Sequence, residues 1–225
     1  DGYVDFHWRE EDDDHPLTAA GCRRALVGAG AGFGAASLGL WAVVGPGATA
    51  LALPMWVLGF LHAPQFDTNP VTTTLGYPLG IATAIVGGFY AQAGAVDGDV
   101  LAFAVVFAVT LAGVKIIDDA TDYDYDRSID KRTIAVVLGR TRARRLAYAL
   151  LYAGFTLVVV FAVDGRFPPA APVAAVAFGA VAAVTTRADA ELATMLLVRG
   201  AYVFLALLVA SVWFRPLAGV ALPDI

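Results

Sequence analysis

An acidic run at residues 118–126, DDATDYDYD, carries the strongest chemical signal in the chain. Within it, Asp118, Asp122 and Asp126 recur every four residues. On a helix that spacing places three carboxylates along one face, where like charges repel unless a cation lies between them. Mg²⁺ takes oxygen ligands and commonly bridges one or two carboxylates and the phosphates of a substrate. The run therefore predicts a metal site for a phosphorylated substrate, with a solvated acidic loop as the alternative.

Two further features favour the metal site. Lys131 and Arg132 follow closely and offer cationic donors for phosphate oxygens. A second acidic cluster opens with Asp1 and Asp5, again four apart, and continues through residues 10–14. Two acidic segments at one mouth could hold two Mg²⁺ ions around one diphosphate, whose charge the metal neutralises as its bond to carbon breaks.

The elements that must position these residues are membrane-spanning helices. Of 225 residues, 59% are hydrophobic and 16% charged, against about 25% charged in soluble domains. Long apolar runs alternate with short charged stretches, as expected when lipid excludes charge from the spans. The predicted spans are residues 22–44, 48–62, 75–93, 100–117, 143–163, 170–186 and 194–214. The second is the weakest because it is short and contains Pro54.

The distribution of Lys and Arg predicts the orientation of these spans. One side of the membrane would hold residues 1–21, 63–74, 118–142 and 187–193. With the adjacent span ends, that side carries every Lys and Arg except Arg166 and Arg215. The positive-inside rule then places the acidic segments in the cytoplasm of a multi-pass protein of the cell membrane. A net charge of −5 with only two lysines excludes nucleic acid as a partner.

Four glycines in the first span, Gly28, Gly30, Gly32 and Gly34, invite comparison with a nucleotide-binding loop. Their register does not fit such a loop, and no strand precedes them. Small residues four apart in an apolar span instead predict a helix-packing surface.

Residues 118–139, DDATDYDYDRSIDKRTIAVVLG, resemble the second aspartate-rich motif of the UbiA superfamily of intramembrane prenyltransferases. That motif reads DxxxDxxxD, then Lys-Arg-Thr and a hydrophobic run ending in Leu-Gly. Residues 1–6, DGYVDF, resemble the first motif, which usually reads Asn-Asp-x-x-Asp. Residues 88–94, GFYAQAG, are similar to a segment of the dihydroxynaphthoate branch, which serves menaquinone synthesis.

The resemblance implies an all-α transmembrane bundle of nine helices, of which this chain would hold seven in one domain, residues 1–225, without the first two. It also implies Mg²⁺-dependent departure of diphosphate from a polyprenyl diphosphate. The allylic cation then alkylates an acceptor, often an aromatic quinone precursor, while the lipid tail lies in an apolar channel open to the bilayer. By position, the implied metal ligands are Asp1, Asp5, Asp118, Asp122 and Asp126, and the implied diphosphate contacts are Lys131 and Arg132.

Two departures from the family pattern keep other functions open. Gly2 stands where an Asp is usual, and the loop at residues 62–67 lacks the usual following Lys. The acceptor could instead be the glycerol of an ether lipid or a carotenoid, or the chain could be a catalytically degenerate membrane scaffold. A transporter is a weaker alternative, because the charges are expected in loops rather than in mid-span.

Overall fold

All seven predicted spans fold as helices, since within lipid only a helix satisfies every backbone N–H and C=O inside one segment. The structure is a computed structural model that describes residues 2–10 and 16–217, and no strand occurs within them. In chain order the helices are α1 (Gly2–His7), α2 (Ala19–Val43), α3 (Pro46–Phe60), α4 (Pro70–Ala93), α5 (Gly98–Thr121), α6 (Tyr123–Ser128), α7 (Ile134–Leu138), α8 (Arg140–Val163), α9 (Ala171–Thr185) and α10 (Ala190–Phe214). The all-helical membrane bundle is therefore confirmed.

The seven long helices differ in how well they match the thickness of a bilayer. Five of them, α2, α4, α5, α8 and α10, have 24 or 25 residues and are long and apolar enough to cross a membrane. Helices α3 and α9 have only 15 residues, which at 1.5 Å per residue is about 22 Å. The predicted spans 48–62 and 170–186 are thus shorter apolar helices, and α3 contains Pro54 as expected.

Helix α5 is the centre of the bundle. It packs against α4, α8 and α10, while α9 bridges α8 and α10. Within its most apolar 18 residues, 67% are buried, against 0% for α2, which packs on α3 at the edge of the bundle. A charged group at the end of α5 is therefore held by the most firmly packed element of the fold.

The close packing of α5 on α8 depends on glycines that the sequence analysis did not single out. A Cβ on Gly113 would lie 2.8 Å from the carbonyl oxygen of Ala147, and one on Gly154 would meet the hydroxyl of Thr110. Contacts this short require glycine, since a real Cβ would force the helices apart.

Within the described residues, three of the four glycines of α2 contact no other element, so their predicted packing role stays a prediction. A Cβ on Gly28, Gly32 or Gly34 would have no atom of the described residues within 4 Å. Only Gly30 lies against a neighbour, the Trp56 ring of α3, at 3.3 Å from such a Cβ. The spacing matches a packing motif, but the surface that it creates on α2 carries no partner in the described part of the chain.

Candidate active site

The charged connections of the chain meet at one end of the bundle, which we call the charged end. Helices α2, α4, α8 and α10 begin there, and α3, α5 and α9 end there. The hydroxyl of Thr121, at the end of α5, is 2.9 Å from that of Thr194, in the first turns of α10. The backbone N–H of Arg132 donates to the carbonyl of Asp67 at 3.0 Å, which joins the loop after α6 to the loop before α4.

Lys115 lies between two carboxylates within the last two turns of α5. Its Nζ is 2.6 Å from Asp119 Oδ1 and 3.3 Å from Asp118 Oδ2. Asp119 is 2% exposed, and its Oδ2 is buried without a hydrogen-bond partner among the described atoms. Lys115, Asp118 and Asp119 thus belong to the last turns of a candidate membrane helix rather than to the loop that follows it. The buried Asp119 carboxylate is tolerated in this helix because the Lys115 ammonium pairs with it.

The three regularly spaced aspartates do not share one helix. Helix α5 ends at Thr121, and Asp122, with φ −89° and ψ 14°, separates it from α6. Asp118 thus lies on α5, Asp126 on α6, and Asp122 at the break between them, exposed to solvent. Continuing the helix would stack three like charges on one face. The break at Asp122 gives Asp126 a different direction from Asp118.

Asp126 is buried beside a lysine that the chain brings back to it. Its side chain is 3% exposed, and Lys131 Nζ lies 3.6 Å from its Oδ1. The reversal uses Asp130, which adopts a left-handed backbone with φ 59°, and the Lys131 N–H donates to the Asp126 carbonyl at 2.9 Å. Burial raises the pKa of Asp126, although the Lys131 ammonium opposes this. Lys131, predicted to contact diphosphate, is thus close to a predicted metal ligand.

Asp67 joins the first acidic segment to the second. Arg9 lies just beyond α1, and its Nη1 donates to Asp67 Oδ2 at 2.5 Å and lies 3.6 Å from Asp5 Oδ1. Asp67 itself is 1% exposed and its carbonyl accepts from Arg132. The Oδ1 of Asp67 is buried without a hydrogen-bond partner among the described atoms. Asp67 thus links the segment of Asp5 and Arg9 to the loop of Arg132, whereas the predicted meeting of Asp1 and Asp5 with the carboxylates of residues 118–126 stays a prediction.

His62 extends this electrostatic cluster to the end of α3. It lies in a short irregular turn, His62–Phe66. Its pKa is lowered mainly by burial; the nearby Asp67 carboxylate opposes that effect, while Lys115 and Lys131 lower the pKa further. Groups from α5, the loop before α4 and the loop after α6 therefore all contribute to the pKa shift of this imidazole.

The donor set at the charged end suits a hard cation but does not form a complete cage. No three Asp, Glu, His or Cys side chains of the described residues converge on a single ion position. The acidic side chains nonetheless offer only oxygen, as Mg²⁺ requires. Two of those oxygens, Asp67 Oδ1 and Asp119 Oδ2, are buried and unpartnered. Asp1 and residues 11–14 lie outside the described residues.

A cavity of about 320 Å³ opens next to Lys115 between helices α4, α5 and α10. Lys115 and Asp118 line it together with two tyrosines, Tyr77 of α4 and Tyr202 of α10. The cavity therefore combines a charged wall with aromatic and aliphatic walls.

A larger cavity of about 590 Å³ lies between the same three helices toward the opposite end. Its walls are mainly apolar, and Phe103, Phe107 and Trp213 contribute aromatic rings. A groove lined in this way can hold a hydrocarbon chain, since burying apolar surface is favourable at about 25 cal/mol per Å².

Four charged residues of the site were not predicted: Arg9, Asp67, Lys115 and Asp119. A signal for two of them exists, because Lys115 is one of two lysines in the chain and precedes Asp119 by four residues, the spacing of a helical ion pair. Asp67 gives no such signal, since its partners Arg9 and Arg132 are each about 60 residues away.

Comparison of the chain with curated proteins and with solved structures yields no match. The model of the UbiA prenyltransferase family matches residues 14–195, well over half of the chain. The matched segment includes Asp118, Asp122, Asp126, Lys131 and Arg132. Asp1 and Asp5 precede it. This multi-pass helical membrane protein therefore belongs to the UbiA prenyltransferase family, and membership implies membrane prenyltransferase activity.

Proposed function

We propose that the protein transfers a polyprenyl group from a prenyl diphosphate to an aromatic quinone precursor within the membrane, in a reaction that depends on Mg²⁺. The observation that supports this most is the cavity beside Lys115. It brings Asp118 and a lysine to the charged end of a space between α4, α5 and α10, and a larger apolar cavity lies between the same helices. A prenyl diphosphate has a charged headgroup that suits the first cavity and a long hydrocarbon tail that suits the second.

The acidic residues would hold the metal. We assign this role to Asp118, Asp122 and Asp126 and, across the charged end, to Asp5 and Asp1. Bound Mg²⁺ would supply positive charge that stabilises diphosphate as a leaving group. The buried oxygens of Asp119 and Asp67 are additional donors on the same side of the bundle.

The cationic side chains would bind the diphosphate directly. Lys131 and Arg132 carry donors for its oxygens, and Arg132 is exposed at the charged end. The C–O bond of the donor breaks with its electron pair leaving on the diphosphate, which leaves an allylic cation. A ring carbon of the acceptor forms the new C–C bond and then loses its proton. The tyrosine pair near Lys115 would exclude water from the cation and attract it through the ring faces.

The charged end would face the cytoplasm. The loops at this end, with the adjacent helix ends, carry every Lys and Arg of the chain except Arg166 and Arg215, which is the asymmetry that the positive-inside rule describes. A soluble prenyl acceptor would then approach from the cytoplasm while the prenyl tail enters from the bilayer.

The test is an assay of the full chain in liposomes with prenyl diphosphates of several lengths. The acceptor panel contains dihydroxynaphthoate, hydroxybenzoate, a glycerol-based ether lipid precursor and a carotenoid. We expect diphosphate release and a prenylated aromatic product with Mg²⁺, and neither with excess EDTA. If product forms only on the ether lipid precursor or the carotenoid, that compound class and not the aromatic precursor is the acceptor. If no acceptor is prenylated, the result favours a non-catalytic scaffold.

Asp122→Asn provides the matched residue test. We expect product formation to fall by at least about 100-fold, because a metal ligand loses its charge. Asp130→Asn is the control: it removes one carboxylate from the same loop, and Asn tolerates the left-handed backbone found there. Equal activity of the two variants would remove Asp122 from the metal site.

A further inference from the structure

A second cavity adjoins the end of α5 on a different side from the candidate active site. Its volume is about 370 Å³, and it lies between α5, the start of α8 and the start of α10. The cavity beside Lys115 contacts α4 rather than α8, and the two cavities have no lining residue in common. The function proposed above does not use this second space.

The polar groups in this cavity are donors, and two of them are guanidinium groups. Arg140 and Arg144, one helical turn apart on α8, line it with the hydroxyl-bearing Thr121 and Thr141. Arg140 is held in place by Asp124, whose Oδ2 lies 2.9 Å from its Nη2, and by the Tyr123 ring, 5.0 Å from its guanidinium carbon. Planar guanidinium groups match the oxygens of a phosphate with paired hydrogen bonds.

Arg144 has its charge available for a ligand. It is partly buried, and it forms no ion pair with any residue that the structure describes. A half-buried cation without a counter-ion is unfavourable, and an anion in the cavity would compensate for it. The remaining wall, which includes Ile117, is apolar and suits the carbon atoms next to a phosphate group.

We infer that this cavity binds a phosphate-bearing anion, such as the headgroup of an anionic phospholipid, at the membrane surface. The site lies where α5 ends and where α8 and α10 begin, which is the level of the lipid headgroups if these helices cross the bilayer. Basic pockets between transmembrane helices bind anionic headgroups through the same contacts. Its volume falls within the range of small-ligand sites.

The inference separates four neighbouring arginines into two pairs. Arg140 and Arg144 line the cavity, whereas Arg142 and Arg145 do not; of the four, only Arg144 is partly buried. A basic flank that only attracts the anionic bilayer surface would use all four alike. A built site would depend on Arg144 and not on Arg145.

Native mass spectrometry of the full chain in neutral detergent with EDTA can test this. The probes are dioleoylphosphatidylglycerol and dioleoylphosphatidylcholine, with inorganic pyrophosphate as competitor. We expect one phosphatidylglycerol to be retained in preference to phosphatidylcholine. Arg144→Gln should weaken that retention by about tenfold, the loss expected when a charged donor is removed, and Arg145→Gln should leave it unchanged. Displacement by pyrophosphate would show that phosphate alone is recognised, whereas resistance to it would assign the site to lipid.

Equal retention of the two lipids, or equal losses in Arg144→Gln and Arg145→Gln, would overturn the inference. Thermal unfolding checks that each variant is folded. Arg144→Lys keeps the positive charge but removes the planar guanidinium group, so it provides a second test if Arg144→Gln does not fold. We expect Arg144→Lys to show weakened retention of phosphatidylglycerol, and unchanged retention would contradict paired recognition by the guanidinium. None of these measurements requires prenyl transfer, so their outcome is independent of the proposed function.

Discussion

Lys115 places one ammonium group between two adjacent carboxylates at the end of α5. Asp118 is 44% exposed, whereas Asp119 is 2% exposed, so the two have different surroundings although they are neighbours in sequence. Lys115 pairs with the Oδ1 of Asp119, whereas the Oδ2 is buried and has no hydrogen-bond partner among the described atoms. Lys115 therefore supplies a cation to the buried Asp119, whereas Asp118, which Lys115 also contacts, keeps a half-exposed carboxylate.

This arrangement predicts a large loss of stability when Lys115 is removed. In Lys115→Met the Asp119 carboxylate stays buried without its partner, which costs about 3–5 kcal/mol. The double variant Lys115→Met/Asp119→Asn removes the stranded charge and should recover most of that loss. The measurement is the free energy of unfolding in mixed micelles without divalent cations. A single variant as stable as the parent protein would show that Lys115 does not neutralise Asp119.

The pairing of helices α5 and α8 is set by glycines, at the place that holds the acidic end of α5. Gly113 faces the backbone of Ala147 so closely that an added Cβ would lie 2.8 Å from a carbonyl oxygen. A carbonyl oxygen cannot rotate away as a flexible side chain can, so the helices themselves would have to move. Displacing α5 would also displace Lys115 and Asp118, which it carries.

Gly113→Ala should therefore destabilise the protein while Gly28→Ala should not. Overpacking costs about 1–3 kcal/mol, and the gain in helix propensity returns up to about 1 kcal/mol, so we expect a net loss of about 1–2 kcal/mol for Gly113→Ala. Gly28 also lies within a long helix, but its Cβ would meet open space. Thermal unfolding of the two variants in the same detergent gives the comparison. Equal melting temperatures would exclude a close contact at Gly113.

The ion pair of Arg9 and Asp67 ties the segment after α1 to the loop before α4. The two side chains are 15% and 2% exposed, so solvent screens their attraction weakly. A double-mutant cycle with Arg9→Gln and Asp67→Asn should give a coupling energy of about 1–3 kcal/mol in unfolding. The pair Arg9→Gln and Asp130→Asn is the control, and its losses should add. Additive losses in the first cycle would mean that the pair does not join these segments.

At the scale of the whole molecule, the apolar runs predicted where the helices lie. Lipid excludes charge from a span, so each long helix leaves a continuous apolar stretch in the sequence, and all seven were found. The length of α9 was overestimated by two residues, and α3 was placed two residues too far along the chain, because hydropathy does not register where a short helix begins and ends.

The site was predicted less completely, because its geometry depends on long-range contacts. The spacing of the acidic run predicted three carboxylates on one helix face, but it did not predict the break at Asp122. Nor could spacing reveal that Asp67 pairs with Arg9 across 58 residues. A contact between distant segments is decided by the fold and leaves no periodic pattern.

The orientation of the whole bundle can be tested with two engineered cysteines. In a Cys22→Ala background, Asp130→Cys places a thiol at the charged end, and Ala95→Cys places one in the exposed turn between α4 and α5 at the opposite end. If the cationic loops face the cytoplasm, a membrane-impermeant maleimide should label Ala95→Cys in intact cells, and Asp130→Cys only after permeabilisation. Labelling of both after permeabilisation is the control for thiol reactivity. The reverse pattern would put the acidic residues on the outer face, where a cytoplasmic diphosphate could not reach them.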